Sequence, residues 1–230
     1  MGAKTGYEAA RWQHEARLKD GWRAVGRKIG FTNRSIWPRY GVYEPIWGTV
    51  YDRTLIHAQA GRATVSLAGF EHPRIEPEIC FKLKATPHGA EPQALLAALE
   101  WVAHSIEIVQ FPRADWQMTL EEATALNGLH GCLVLGEPIA VSELPRLAEA
   151  LPLAAVTLTR GDAEVDHGTG ANVLDSPLNA LGFLAQVCEL QAGEIVSTGT
   201  LTDAHPVRPG ETWRTAFTGL PLAGLTLDFT

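Results

Sequence analysis

Residues 74–82 read RIEPEICFK, and their alternation decides the fold class. Ile75, Pro77, Ile79 and Phe81 take every second position with Glu76, Glu78 and Cys80 between them, the period of two that sends successive side chains to opposite faces of a strand. Proline cannot donate to a ladder, so Pro77 predicts an edge strand or a bulge. Positions i and i+2 share a face ~6.5–7 Å apart, so Glu76 and Glu78 aim two carboxylates the same way. Such a pair is relieved by solvent, by raised pKa values or by a bound cation.

Farther along, SIEIV (residues 105–109) repeats the anomaly: Ile106 and Ile108 bracket Glu107, which points away from the face they bury. Three oxygen ligands without a neighbouring His or Cys suit Mg²⁺ or Mn²⁺ better than zinc. Three glutamates on the solvated face of a half-exposed sheet fit the same pattern, and periodicity leaves both readings open.

Upstream, residues 7–19 predict a helix ended by Gly21. WRAVGRKIGFT (22–32) predicts a strand with Val25, Arg27, Ile29 and Phe31 on one face and Lys28 on the other. Residues 33–47, rich in Pro, Gly and aromatics, predict an ordered loop or lid whose aromatic residues from Trp37 to Trp47 pack the loop or roof an apolar pocket. Downstream, EPQALLAALEWVAH (91–104) predicts a helix with Leu95, Leu96, Leu99 and Val102 in one stripe, leading into a short strand around Glu107. Thr119 is a predicted N-cap, with Glu121 and Glu122 in the first turn. NGLHGCLVLG reads as turn into buried strand, residues 151–165 as a hairpin around Arg160, Gly161 and Asp162, and Ser176 as the cap of a helix to about Leu190. From Glu194 onward short strands alternate with turns. Clustered strands outnumbering helices predict an α+β fold with a mixed, mainly antiparallel sheet rather than a doubly wound one.

The chain has 230 residues, 46% of them hydrophobic and 20% charged, with a formal net charge of −7. We expect one catalytic domain over residues 1–230, with 1–21 a helical segment packed on it. An acidic balance without a Lys/Arg block argues against nucleic acid or anionic membrane as partners, and a small anionic substrate then needs a local cation. Apolar runs fall short of the ~18 residues of a membrane span and charges interrupt the N-terminus, so a soluble cytoplasmic protein is expected. Cys80, Cys132 and Cys188 are too far apart for a CxxC motif and read as buried thiols.

Lys28 is either an exposed sheet-face lysine or a pocket cation. Gly168 and Gly170 precede a helix N-terminus, where backbone N–H groups could hold a carboxylate; with Val173 in the third position the loop does not match GxGxxG. His130 and His205 belong to no metal-ligand spacing and read as solvated or structural imidazoles, and Ser176, without a GxSxG elbow, reads as a cap.

Taken in order, VGRKIGFT, YEPIWG, RIEPEICFKL, SIEIV, the glycine loop with SPLNALGFLA, and IVSTGTLTDAHPVRPGETW resemble the 2-keto-4-pentenoate hydratase family, in the fumarylacetoacetate hydrolase superfamily. The resemblance runs from about Tyr7 to the C-terminus. It implies a mixed β-sheet roll of the superfamily's C-terminal-domain type with peripheral helices, usually a homo-oligomer. It implies Glu76, Glu78 and Glu107 as ligands of Mg²⁺ or Mn²⁺ and Lys28 as the active-site lysine; Gly168, Gly170, Asn172, Thr200 and Gln110 are the candidate substrate-binding residues.

Two departures stand out: Ile46 where many of these hydratases have an acidic residue, and Gln110-Phe111-Pro112 where Asp-Ser-Arg often follows. The implied function is hydration of a small 2-hydroxydienoic acid in aromatic-compound degradation, alongside other pathway enzymes. Alternatives are a 4-oxalocrotonate-type decarboxylase, an acylpyruvate C–C hydrolase, or a catalytically weak protein that binds metal and oxo acid. The aromatic loop favours a short apolar tail on the substrate, with Arg34 and Arg39 the groups that would hold a second carboxylate.

Overall fold

The strand anticipated around Glu76 forms as Arg74–Leu83 and lies in the middle of a sheet, not at its edge. The computed structural model describes residues 2–230. The strands of the first half are β1 (Ala24–Gly30), β2 (Ile46–Tyr51), β3 (Leu55–His57), β4 (Arg62–Val65) and β5 (Arg74–Leu83). They are followed by β6 (Leu99–Val109), β7 (His130–Leu135), β8 (Ile139–Ala140) and the hairpin β9 (Ala155–Arg160) and β10 (Ala163–Thr169). The tail supplies β11 (Ile195–Thr200), β12 (His205–Pro206), β13 (Thr212–Thr218) and β14 (Thr226–Phe229).

Among the described residues these make a nine-stranded sheet with the path β2-β1-β11-β5-β6-β7-β3, where β12 joins β5 and β8 joins β6, and a five-stranded sheet ordered β10-β9-β13-β14-β4. Most pairings are antiparallel, while β1–β11, β3–β7 and β4–β14 are parallel, so the sheets are mixed as the sequence predicts. Pro77 is accommodated by a bulge. The β5–β11 register shifts between Ser197 and Thr200, and here Pro77 contributes only its carbonyl, which accepts from Leu201 N at 2.9 Å.

Both faces of β5 are covered, which removes the half-exposed reading of the glutamates. On one face Ile75, Ile106 and Ile108 pack against Leu158, Trp213 and Leu227 of the smaller sheet. Farther along the same face Ile79 and Phe81 meet Leu178, Leu181 and Leu184 of the helix Pro177–Val187. On the other face Val50, Cys80, Ala103, Leu133 and Ile195 form one cluster. That cluster brings β2 against β7, remote from each other along the path, so the large sheet curls into a roll with an interior.

The helix expected over residues 91–104 is only Pro92–Ala98, and β6 begins at Leu99 with eleven residues in place of a short strand. The run from Leu95 to Val102 is apolar enough to satisfy either period, and an almost continuous antiparallel register with β5 outweighs helix propensity. The caps behave as expected: Thr119 and Glu122 form a capping box, Ser176 caps its helix, and Gly161 turns the β9–β10 hairpin at φ 58°. Residues 33–47 are ordered around two short helical turns, Arg34–Ile36 and Trp37–Tyr40. The helix Gly2–Lys19 is fastened by Tyr7, whose ring stacks on Trp47 at 5.0 Å and whose hydroxyl accepts from Trp47 N. Cys80 and Cys132 are buried and Cys188 is half-buried. No helix among the described residues is long and apolar enough to cross a membrane.

His104 of β6 joins the two sheets. Its Nδ1 donates to the Glu78 carbonyl at 2.9 Å, and its Nε2 accepts from Thr215 Oγ1 on β13 at 2.8 Å. Both bonds suit a neutral ring, and burial pushes its pKa down to about 4. Between pH 6.5 and 4 the unfolded chain takes up a proton that the folded chain refuses, so this residue's contribution weakens as pH falls through that window. Wild type should lose about 3 kcal/mol relative to a His104→Asn variant between pH 7 and 4. Urea titrations of both proteins check this. A pH-independent difference would mean that His104 titrates normally.

Candidate metal centre and substrate cleft

Register places the three glutamates. Glu76 and Glu107 are directly opposed on β5 and β6, Glu78 faces Ser105 one step along, and all three point into the roll. Each can offer an oxygen within 4.8 Å of those of the others. Glu78 and Glu107 are fully buried and Glu76 is half-buried. Lys28 reaches them from β1, burying its stem, and its Nζ lies 2.9 Å from Glu107 Oε2.

The β11 bulge shapes the rest of the nest. Gly199 takes φ 107°, and a Cβ there would lie 2.1 Å from Thr32 Oγ1, so only glycine fits. In that conformation Gly199 N donates to Glu78 Oε2 at 3.1 Å, and Ser197 Oγ donates to the same oxygen at 2.5 Å. Glu78 Oε1 is buried with no partner. An unpartnered buried carboxylate oxygen beside two further carboxylates is what a hard cation would satisfy.

The charges fit this reading. Burial pushes the Glu76 carboxyl up to about 7, with Glu107 adding to the rise and Lys28 opposing it. Burial, then the charge of Glu107, holds Glu78 well above the usual carboxylate range. Burial would raise Glu107 too, but the Lys28 ammonium and the His130 ring outweigh it and hold the group low. Lys28 is raised, since burial works to lower it and the three carboxylates prevail.

The centre lies at the base of a cleft of about 350 Å³, lined at the inner end by Lys28, Gly30, Glu76 and Gly128. Asn127, Gly128 and Leu129 all have positive φ, and Gly128 lies close against the Lys28 stem. The Asn127 side chain holds this turn by accepting from Thr49 N and donating to Thr49 O.

Of the residues expected to bind substrate, Thr200 is on the cleft wall and Gly168, Gly170, Asn172 and Gln110 are not. Gly168 and Gly170 instead allow close backbone packing, since Cβ atoms there would lie 1.8 Å from Leu201 O and 1.9 Å from Leu151 O. Asn172 donates to Leu201 O, and Gln110 accepts from Glu71 N. Ile46 is on the wall and 1% exposed. The roof is Ile36 and Tyr40, whereas Trp37 and Trp47 pack on the core. His205 is half-buried, its Nε2 2.7 Å from Asp166 Oδ2, and it lines the same cleft.

His130, read from the sequence as a solvated or structural imidazole, proves to be tied to the acid cluster, a link the sequence did not show. It is buried, with Nδ1 2.7 Å from Glu107 Oε1 and Nε2 2.9 Å from Thr54 Oγ1, so it fixes the carboxylate that Lys28 holds from the other side. No spacing rule joins positions 54, 107 and 130. The only signal was an imidazole in an otherwise apolar strand start, NGLHGCLV.

Residues 49–226 match the fumarylacetoacetate hydrolase C-terminal family. The chain belongs to that family. Within the fumarylacetoacetate hydrolase family it is 33% identical over 214 residues to 2-keto-4-pentenoate hydratase of Paraburkholderia xenovorans (strain LB400), which covers 90% of this chain and 77% of the relative. It is 34% identical over 200 residues to a 4-oxalocrotonate decarboxylase of Pseudomonas sp, covering 84% and 75%. The fold superposes on 4-oxalocrotonate decarboxylase from Pseudomonas putida G7, complexed with magnesium and adipate, at a TM-score of 0.88 with 24% identity, over 100% of this chain and 90% of that one. For fumarylpyruvate hydrolase from Pseudomonas aeruginosa, in complex with Mn²⁺ and pyruvate, the TM-score is 0.73 at 16% identity, covering 90% and 89%.

Proposed function

We propose that the protein is a divalent-metal-dependent hydratase that adds water to a small 2-hydroxydienoic acid, with Mg²⁺ or Mn²⁺ held by Glu76, Glu78 and Glu107. The observation that carries this is the buried triad with its unpartnered Glu78 oxygen beside Lys28 at the base of a cleft. The hydratase names of relatives over most of the chain support it.

When bound, the cation supplies Lewis acidity toward the substrate carboxylate and C2 oxygen. Lys28, kept protonated by its carboxylate neighbours, holds positive charge where negative charge develops on the C2 oxygen as the enol proton leaves it. Thr32 and Thr200 offer hydroxyls on the wall, and Ile36, Ile46, Val109 and Leu129 enclose the diene and keep bulk water out. His130 and Thr54 hold Glu107 still. The protein acts as a homo-oligomer, a reading supported by large apolar side chains left exposed, Trp12, Leu153 and Tyr43.

One observation favours a decarboxylase as second reading. The wall at Ile46 is apolar and buried, so it cannot activate water, and loss of CO₂ needs no water activation. An ultraviolet assay with freshly generated 2-hydroxypenta-2,4-dienoate should show consumption of the dienol that requires Mg²⁺ or Mn²⁺ and stops with EDTA. No consumption in the presence of metal, together with CO₂ release from 2-oxohex-3-enedioate, would replace the first reading by the second.

A further inference from the structure

The cleft carries two arginines with no ion-pair partner among the described residues, although the Arg74 charge is felt by Glu76. Arg74 lines the cleft, half-buried, with its guanidinium 4.1 Å from the centre of the Trp116 ring. It has no ion-pair or hydrogen-bond acceptor among the described residues. Arg39 also lines the cleft, 5.4 Å from the Tyr40 ring centre, likewise without an acceptor among them. Arg34, the other candidate, is committed to Asp175 at 2.6 Å and lines a separate groove. Asp203 is the carboxylate on this part of the wall, set against two guanidinium groups.

A half-buried guanidinium leaves five N–H donors to be satisfied, and stacking on an indole fixes its plane while its edge stays free. That edge matches a carboxylate bidentately, and the fixed plane lowers the ordering cost of binding one. Arg74 and Glu76 stand on one face of β5, two residues apart, a spacing of ~6.5–7 Å. That is the reach of a six- or seven-carbon acid whose head is at the metal centre.

On the proposed reading of the centre, we infer that the outer cleft is a carboxylate subsite formed by Arg74 and Arg39, so that the substrate is a dicarboxylic 2-hydroxydienoate or its 2-oxo tautomer. The apolar walls then hold the chain between two anionic ends, and specificity lies in the pairing of the far carboxylate. Ile36 and Tyr40 line the cleft beside Arg39 and give it apolar surroundings on one side.

Calorimetry on the Mn²⁺-loaded full chain tests this with two stable six-carbon probes, 2-oxoadipate and 2-oxohexanoate, and with oxalate as a head-only control. The diacid should bind about tenfold or more tightly than the monoacid. In an Arg39→Gln, Arg74→Gln double variant the two should bind within about threefold of each other. Arg39 is exposed, so Arg39→Gln alone, which cannot disturb folding, should already weaken diacid binding severalfold. Equal affinities in wild type, tighter binding of the monoacid, or a preference that survives both substitutions overturns the subsite. So does binding of oxalate when neither oxo acid binds. Failure of oxalate itself overturns the metal-centre reading, and the subsite with it.

Discussion

Replacing Glu78 by glutamine should lower Mn²⁺ affinity by about 10²-fold or more and, at the same time, raise the melting temperature of the metal-free protein. The first effect follows from removing an anionic ligand at nearly constant volume. The second follows from the surroundings of Glu78: burial and the nearby charge of Glu107 disfavour its ionised form, and Oε1 has no partner. A glutamine can still accept from Ser197 Oγ and Gly199 N with its carbonyl, so the nest stays filled while the cost of holding a carboxyl group whose ionised form the site disfavours disappears. The melting temperature should rise by about 2–4 °C for each kcal/mol gained. Calorimetry and thermal melts with and without Mn²⁺ measure both. Unchanged metal affinity would remove Glu78 from the ligand set.

Lys28→Met should have the opposite signature. Without its ammonium, Glu107 keeps the hydrogen bond to His130 but loses its buried ion pair, and breaking a buried pair costs about 3–5 kcal/mol in the metal-free protein. A bound cation replaces the lost positive charge, so Mn²⁺ should raise the melting temperature of the variant more than that of wild type. With metal affinity retained, kcat/KM on the preferred substrate should fall by ~10² or more, since the group that stabilises the developing anion is gone. Wild-type kinetics in the folded, metal-loaded variant would exclude Lys28 from the chemistry.

The cluster of carboxylates was legible because a strand's period of two is short and Glu76 and Glu78 sit within it, while Glu107 stood out between two isoleucines. Its burial was not legible, because the cover comes from elements remote in sequence: the five-stranded sheet, the helix Pro177–Val187 and the curl that brings β2 to β7. The boundary at Leu99 was misplaced because LLAALEWV carries apolar residues at both helical and strand spacing, and only the register with β5 decides between them. Gly168 and Gly170 resembled an anion cradle, but their missing side chains make room for the backbone at Leu201 and Leu151. A glycine's sequence context does not say what approaches it. The cations of the outer cleft were half visible: Arg39 was foreseen, whereas Arg74 depends on Trp116, which reaches it across a loop.

The acid triad and much of the cleft wall are built from different parts of the chain, with Arg74 and Val109 of the wall sharing β5 and β6 with the carboxylates. The carboxylates belong to β5 and β6, whose backbone groups are bonded on both sides in the interior of the roll, so their amides should exchange with solvent only when the whole domain opens. Much of the remaining wall comes from residues 31–40, with their two short helical turns, and 202–206, which end in the short strand β12. A lineage can therefore lengthen, shorten or recharge those segments and admit a new tail while the acid triad and its lysine stay in place. The same division tells a protein engineer where variation is tolerated: libraries confined to the two loops should retain cation binding in most members, and libraries in β5 or β6 should lose it.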